Sequence, residues 1–387
     1  MNKKLATKVD IAIIGGGIAG CTAAIALSKK YTVALIDKAL QPVDRIGECL
    51  PPAARRILKQ LDLLEGLENK GYPANQQIQQ QNTGTQSYWG SDKSTIVDHL
   101  RNPDGFGWQL NRKEFEVYLR SNAEQRGVNC FFGYKLQTAA YDNDLWTIGI
   151  KTSETTTKSI ESCITAKFVI DASGRQSHFA RTLGIKREVI DKLVATWATV
   201  ENHETITMST ISSCEEGWWY SAPLPNNKRV IAFQTDADLI ERTQIKSADS
   251  FLQLATANKQ MASILSKNKQ PIQFHGTVAA NSSKLHEVAG KQWAALGDAA
   301  VSFDPLSSQG MFNAMASALQ LTDLLQNYQI IEETNKAQEA VFQEIYTQQM
   351  NHIWDYYLKH KSYFYGQEQR WPQSEFWKRR QLASSNI

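Results

Sequence analysis

The chain has 387 residues, 42% hydrophobic and 21% charged, which excludes disordered, collagen-like and fibrous proteins and leaves room for roughly two to three domains with a large core. Lysine plus arginine (42) nearly balance aspartate plus glutamate (39), for a net charge of +3, too little to make nucleic acid the main partner, so any anion site must be local. Cys21, Cys49, Cys130, Cys163 and Cys214 are widely spaced without a C-x-x-C pair. Neither a disulfide framework nor a zinc site is expected, and a reducing cytoplasm is the simpler setting.

Val9 to Ile14 reads as a buried parallel strand, and Gly15-Gly16-Gly17-Ile18-Ala19-Gly20 supplies G-x-G-x-x-G where that strand must turn into a helix. Gly15 permits the tight turn, Gly17 lets the backbone approach a pyrophosphate, and Gly20 lets the helix pack on the sheet. The helix, running to about Lys29, would turn its free N–H groups at Ile18 and Ala19 and its positive dipole end toward the phosphates. Ile11 to Ser28 is uncharged and superficially resembles a signal peptide or short membrane span, but its glycines and the preceding Asp10 argue against both, and no membrane segment is expected. A second strand, Thr32 to Ile36, ends at Asp37 and Lys38, Asp37 lying 17 residues after Gly20, where a carboxylate can accept hydrogen bonds from a ribose 2′-OH. This order specifies a dinucleotide site without choosing between NAD and FAD.

Further along come Arg45-Ile46-Gly47-Glu48-Cys49-Leu50-Pro51-Pro52, a helix over Pro52 to Leu64, and Gly107-Trp108-Gln109-Leu110-Asn111-Arg112 opening another helix. Strands return from Gly127 to Gly174 with a polar hairpin at Thr152 to Lys158, closing on Phe168 to Gly174 (FVIDASG) and Arg175. Residues 186 to 285 alternate apolar and polar as an antiparallel sheet should, interrupted by a helix from about Ser247 to Ser266. Gln292 to Ala300 is a short apolar strand ending in Gly297-Asp298, followed by Asp304-Pro305-Leu306-Ser307-Ser308-Gln309-Gly310-Met311 and a helical pattern. A strand that delivers an aspartate beside a ribityl chain, then a glycine-containing turn into a helix, suits a flavin better than nicotinamide. There is no second G-x-G-x-x-G, so electrons must come from transiently docked NAD(P)H or a separate reductase.

These segments resemble the class A flavoprotein monooxygenases and the flavin-dependent halogenases. The resemblance implies an α/β (α+β) fold with a Rossmann-like FAD domain (1–85, 111–185 and 286–335), an antiparallel substrate domain (86–110 and 186–285) and a C-terminal helical region (336–387). It also implies that Gly297 and Asp298 meet the ribityl and phosphate part of FAD, that Pro305, Gly310 and Met311 pass the isoalloxazine ring, and that Arg45, Gly47 and Glu48 lie along the flavin. Arg112 would meet the FAD phosphates, and Asp171 and Gly174 match the Asp-Gly signature with Ser173 intervening. Tyr88-Trp89-Gly90-Ser91-Asp92, Gly217 to Pro225, Arg370-Trp371 and Phe376 to Arg380 look like the GoxB, LodB and QhpG type of flavoprotein, which matures tryptophan-derived quinone cofactors. What this implies is oxygenation of a tryptophan within a precursor oxidase protein, on the way to cysteine tryptophylquinone or a similar cofactor.

True tryptophan halogenases carry Trp-x-Trp-x-x-Pro, whereas here Trp218 and Trp219 are adjacent and Pro223 follows at another spacing. They also need a catalytic lysine; Lys70 lies in the corresponding part of the chain, although Glu68-Asn69-Lys70-Gly71 reads equally as a solvated turn. Reduced flavin and O2 carry the hard chemistry, leaving the protein to orient an electron-rich ring, exclude water and supply a proton donor. Glu48 is the candidate donor, with acceptance of backbone or ribityl hydrogen bonds as its plainer role. Trp218, Trp219 and Tyr220 are candidates to face an indole or simply to fill a core. The scattered histidines, His275 among them, suggest ordinary positions and no metal site. The tail is dense in aromatics from Trp354 to Trp377 with basic residues interleaved, a pattern that fits a docking surface and a buried core equally. Two other functions stay open: a halogenase or hydroxylase of a free small aromatic, and a flavin-binding assembly factor without chemistry.

Overall fold

The computed structural model describes residues 6–69, 77–153, 161–239, 245, 247–267, 271–332 and 336–382. Five parallel strands form the centre of an eight-stranded sheet, in the order Trp293–Ala295, Glu161–Asp171, Ala6–Ile14, Val33–Asp37, Asn129–Phe132. Ile14 is level with both Asp171 and Ile36, and Asp171 with Ala295, so the carboxyl ends of these strands finish along one edge. In an open parallel sheet the ligand crevice forms outside that edge. The strands are apolar on both faces because both are covered; Ile11, Ala12, Ile13, Ala34 and Leu35 are all fully buried. The helix Ile18–Leu27 packs against Arg112–Gln125 and Gly310–Asn327 and buries almost every side chain, which is why it carries no charge. An antiparallel pair, Tyr134–Asp142 and Leu145–Thr152, extends the sheet beside Glu161–Asp171; most of the expected Thr152 to Lys158 hairpin lies outside the described residues.

A seven-stranded sheet stands against that crevice, in the order Gln273–Ala279, Leu193–Glu201, Lys228–Asp236, Gly217–Leu224, Ser209–Cys214, Gly84–Tyr88, Thr95–Asp98. All neighbours are antiparallel except Ser209–Cys214 with Gly84–Tyr88. The hairpin at 84–98 therefore joins this sheet, while Gly107–Leu110 pairs with Cys49–Leu50 and Gln79–Asn82 instead.

Strand period two decides what each face carries. Trp218, Tyr220, Ala222 and Ala232 form one core with Tyr365, Phe376 and Trp377. Trp219, Ile231 and Phe233 form another under the helices at 248–265, with Phe251 and Met261. The single helix expected there is two, Ala248–Ala257 and Lys259–Leu265: Asn258 adopts extended backbone and its side-chain oxygen accepts from Met261 N at 3.2 Å, capping the second. The expected Pro52 to Leu64 helix likewise divides into Ala54–Gln60 and Leu64–Glu68, with Asp62 at φ 55 between them.

The tail divides its aromatics between core and surface. The helix Lys336–Gly366 contributes Phe342, Tyr346, Trp354 and Tyr357 to the large core and Tyr365 to the second, while Tyr356, Tyr363 and Phe364 are exposed. Glu375–Leu382 closes the molecule through buried Phe376 and Trp377 and through Arg380, whose guanidinium lies 2.7 Å from Asp236. No helix of the described residues is long and apolar enough to cross a membrane, and no cluster among them has the residues to hold a metal ion.

Candidate functional site

A cavity of about 890 Å³ runs from the glycine turn at the carboxyl edge of the parallel sheet to the Trp218 face of the seven-stranded sheet. At its first end Gly15, Gly17, Ile18, Ala19, Asp37 and Lys38 form the wall. Gly15 has φ +114, and a Cβ there would lie 2.3 Å from Ala172 O; a Cβ on Gly20 would lie 1.8 Å from Gly15 O. Both positions therefore need glycine for the protein's own packing, and Gly20 stands behind the wall. Gly17 is different in kind, because a Cβ there would meet nothing within 4 Å. The open space in front of it is a cradle at a helix N-terminus, the geometry that suits a pyrophosphate.

Asp37 accepts hydrogen bonds from Gly16 N at 2.6 Å and Ala39 N at 2.7 Å and pairs with Arg120 at 3.2 Å. Arg120 is a residue that the motifs did not reveal. Buried inside the Arg112–Gln125 helix, it donates to Gly16 O at 3.0 Å and Ala39 O at 2.9 Å, tying the glycine turn to the acidic strand end. An arginine on the face of an otherwise core-directed helix is the only signal for it in the sequence.

Along the middle of the wall lie Arg45, Gly47, Glu48, Arg112, Gly174, Asp298, Pro305, Gly310 and Met311. Arg112 begins its helix behind the Asn111 cap and reaches Gly47 O at 3.0 Å and Glu116 at 3.0 Å. Two expected contacts sit behind the wall instead. Asp171, fully buried, spends its carboxylate on Ser173 N (3.0 Å), Ser173 Oγ (2.6 Å) and Ala180 N (2.9 Å), shaping the turn that presents Gly174. Gly297, at φ +57, receives Ala19 so closely that an added Cβ would lie 3.0 Å from the alanine's own.

At the far end the strand Gly217–Leu224 presents Trp218 and Tyr220 to the cavity, next to Gln234 and a Trp197–His275 stack with centroids 3.8 Å apart and planes at 7°. Trp219 is corrected by strand alternation: it points the other way, onto Phe233 and Phe251 at 4.7 and 5.5 Å, and is core. His275 is corrected in the opposite sense, from ordinary strand residue to cavity wall, with Nε2 3.0 Å from Thr199 Oγ1 and burial holding its pKa down. Lys70 lies outside the described residues.

Two buried carboxyls face this end, Glu48 and Asp304. Burial pushes the Glu48 pKa above the ordinary carboxyl range, against the opposing pull of Tyr220, the Gly47 N–H and Arg112; Gly47 N donates to Glu48 Oε2 at 2.8 Å. Asp304 is raised by the same cause, with Lys361 opposing, and accepts Tyr365 Oη at 2.7 Å; that hydroxyl in turn accepts Trp218 Nε1 at 3.0 Å. Sequence reading passed over Asp304 because its partners come from a helix far along the chain.

A polar atom on the wall near the glycine turn, His178 Nε2, is buried without a hydrogen-bond partner, and at the other end the buried Tyr220 hydroxyl lies against the Glu48 carboxyl. Together with the open cradle at Gly17 they make a wall fitted to a long ligand, polar at one end and aromatic at the other. The profile of the FAD binding domain family matches residues 8–336. The chain belongs to this FAD-binding family.

Within the FAD-binding family the chain is 29% identical over 382 residues to LodB of Marinomonas mediterranea, described as an FAD-dependent oxidoreductase, covering 97% of this chain and 98% of that protein. It is 27% identical over 327 residues to a tryptophan 2-halogenase of Chondromyces crocatus, across 82% of this chain but only 60% of that longer protein. In fold it matches the flavin-dependent halogenase CmlS (TM-score 0.82, 23% identity, 97% of this chain and 68% of CmlS). It also matches QhpG, a peptidyl tryptophan dihydroxylase essential for tryptophylquinone cofactor biogenesis (TM-score 0.77, 20% identity, 97% of this chain and 79% of QhpG). The family and the α/β fold expected from the motifs are thus those found: this is an FAD-dependent oxidoreductase of the monooxygenase and halogenase kind.

Proposed function

We propose that this FAD-dependent oxidoreductase is a monooxygenase that hydroxylates a tryptophan side chain of a precursor oxidase protein during tryptophylquinone biogenesis. The observation that carries the reading is the single cavity joining the Gly17 cradle to an aromatic wall with two protonatable carboxyls, Glu48 and Asp304. End-to-end similarity to LodB and the shared fold with QhpG support the choice of substrate class. FAD, reduced by NAD(P)H or a separate reductase, supplies the activation of O2 for transfer of OH to an electron-rich ring.

The chain's own residues do the rest. Gly15, Gly17, Ile18 and Ala19 bind the pyrophosphate and Asp37 the ribose, while Arg45, Gly47 and Arg112 neutralise and orient the middle of the cofactor. Gly174, Asp298, Pro305, Gly310 and Met311 fix the flavin end. Trp218, Tyr220 and the Trp197–His275 stack exclude water and hold the indole flat. Glu48 keeps its proton at a pH where a solvated glutamate has lost it and would hold it at its carboxyl as the donor at this end of the cavity.

The test incubates the FAD-loaded, reduced protein with oxygen and candidate precursor and looks by mass spectrometry for oxygen added to one tryptophan. Oxygen on free tryptophan alone overturns the protein substrate. The halogenase relatives favour a second reading, and a bromide arm answers it: brominated product supports halogenation. Precursor maturation that survives Gly17→Glu or Asp298→Arg supports the assembly factor without chemistry.

A further inference from the structure

Four of the chain's ten tryptophans stand in line between the cavity and the surface. Trp218 is on the cavity wall; its ring centroid is 6.2 Å from that of Trp89, Trp89 is 5.3 Å from Trp377, and Trp377 is 6.1 Å from Trp371. Tyr365 makes a parallel branch, accepting Trp218 Nε1 at 3.0 Å and lying 6.0 Å from Trp377. Both branches converge on Trp377, which is fully buried, and leave through Trp371, which is partly exposed under the Arg370 guanidinium.

Indole and phenol are the side chains that surrender a single electron most readily, and here each touches the next with no saturated side chain between. The protons are arranged to match. Trp89, partly exposed as Trp371 is, and the buried Trp377 donate their N–H groups to Phe364 O (2.8 Å) and Cys214 O (2.9 Å), carbonyls that are no base for the proton. Tyr365 donates to the Asp304 carboxyl at 2.7 Å and has such a base. Trp371 reaches water.

We propose that the line is a one-electron relay that carries oxidising equivalents from the cavity to the surface when oxygen is reduced there without substrate. It rests on the FAD monooxygenase reading: reduction of oxygen without substrate yields hydrogen peroxide, and one further electron from the reductant that feeds the cofactor splits its O–O bond into hydroxide and a hydroxyl radical, the oxidant. One electron moves inward from Trp371 through Trp377 and then Trp89 or Tyr365 to Trp218 and the radical, which takes up one proton and leaves as water. Trp371, one electron short, releases its indole proton to solvent; the neutral radical adds dioxygen, and the peroxyl radical so formed takes one electron from the reductant that feeds the cofactor and one proton from water, ending as a ring hydroperoxide. The cavity and its cofactor are spared, and the damage falls on a replaceable surface residue.

The experiment cycles the FAD-loaded full chain through reduction and air without precursor, with catalase present to remove bulk peroxide, and maps added oxygen on every tryptophan by peptide mass spectrometry. Wild type is expected to carry it on Trp371 ahead of other tryptophans of similar exposure. Trp377→Phe should lose it from Trp371 and gain it on Trp218; Trp371→Phe, a change at the surface that keeps the fold, should move it back to Trp377. Labelling of Trp371 that survives Trp377→Phe, labelling that follows exposure alone, or no inward movement in Trp371→Phe overturns the relay. A chain that takes up no FAD overturns both readings, whereas one that hydroxylates precursor and leaves Trp371 unoxidised overturns the relay only.

Discussion

The two ends of the cavity are built on different principles. At the glycine turn the wall is backbone: Gly15 and Gly20 exist because a Cβ would strike another main-chain oxygen, whereas Gly17 faces open space. At the aromatic end the wall is side chain, drawn from strands and helices distant in sequence, with Trp218, Tyr220, Asp304 and Tyr365 meeting only in the folded protein. A backbone site tolerates no substitution but announces itself in sequence; a side-chain site tolerates some and does not.

The contrast is sharpest among the glycines. Gly20→Val would force a branched side chain into Gly15 O and should cost roughly 3 kcal/mol or more, read as a large loss of thermal stability and of flavin together. Gly17→Ala should leave the melting temperature of the flavin-free protein nearly unchanged and weaken FAD binding, measured by flavin titration; equal losses of stability in the two variants would erase the distinction drawn here. Arg120→Ala comes next. Removing the cation from the half-buried Asp37 carboxylate and from two carbonyls should cost about 1–3 kcal/mol and lower FAD affinity, and Arg112→Ala, which strands the buried Glu116 carboxylate, should lower both affinity and the denaturant midpoint.

At the other end the acid is the lever. The folded-state pKa of Glu48 is raised, so the folded protein binds more protons than the unfolded chain between the ordinary carboxyl value and the raised one. Stability from this group is therefore greatest below the ordinary value and declines as pH climbs through that window. Glu48→Gln should flatten the decline in a pH series of unfolding curves and slow hydroxylation most at low pH, where the wild-type proton is present. A variant with the wild-type slope would show that Glu48 is not the group responsible. The smallest effect separates the two faces of one strand: Trp219→Phe should cost about 1–2 kcal/mol through lost packing with unchanged KM for the precursor, and Trp218→Phe should move KM more than stability.

How much of this was legible in sequence follows the same division. The strand, turn, helix and acid at 9–37 could be read because Gly15 and Gly20 answer local steric demands, and the Gly297-Asp298 to Met311 run because Gly297 does the same against Ala19. Trp219 could not be assigned a face, because adjacent aromatics on a strand alternate and only the register shows which side is inward. His275 and Asp304 were passed over since neither sits in a local pattern: one gains its place from stacking on Trp197, the other from Tyr365 and Tyr357 on the long C-terminal helix. Asp171 and Gly297, expected to meet the cofactor, stand behind the wall that their turns present. The tail's division between core and surface was equally open, as a helix of 31 residues dense in aromatics can bury only the stripe that meets other elements.

By itself the sequence determined the nucleotide-binding end, since backbone conformation and close approach are set by which residue lacks a side chain. Tertiary structure alone decided the chemistry-bearing end, because burial, face and partnership depend on segments that share no sequence neighbourhood. Glu48, which the chain offers only as a candidate donor, becomes a held proton once the segments folded around it have taken its water away.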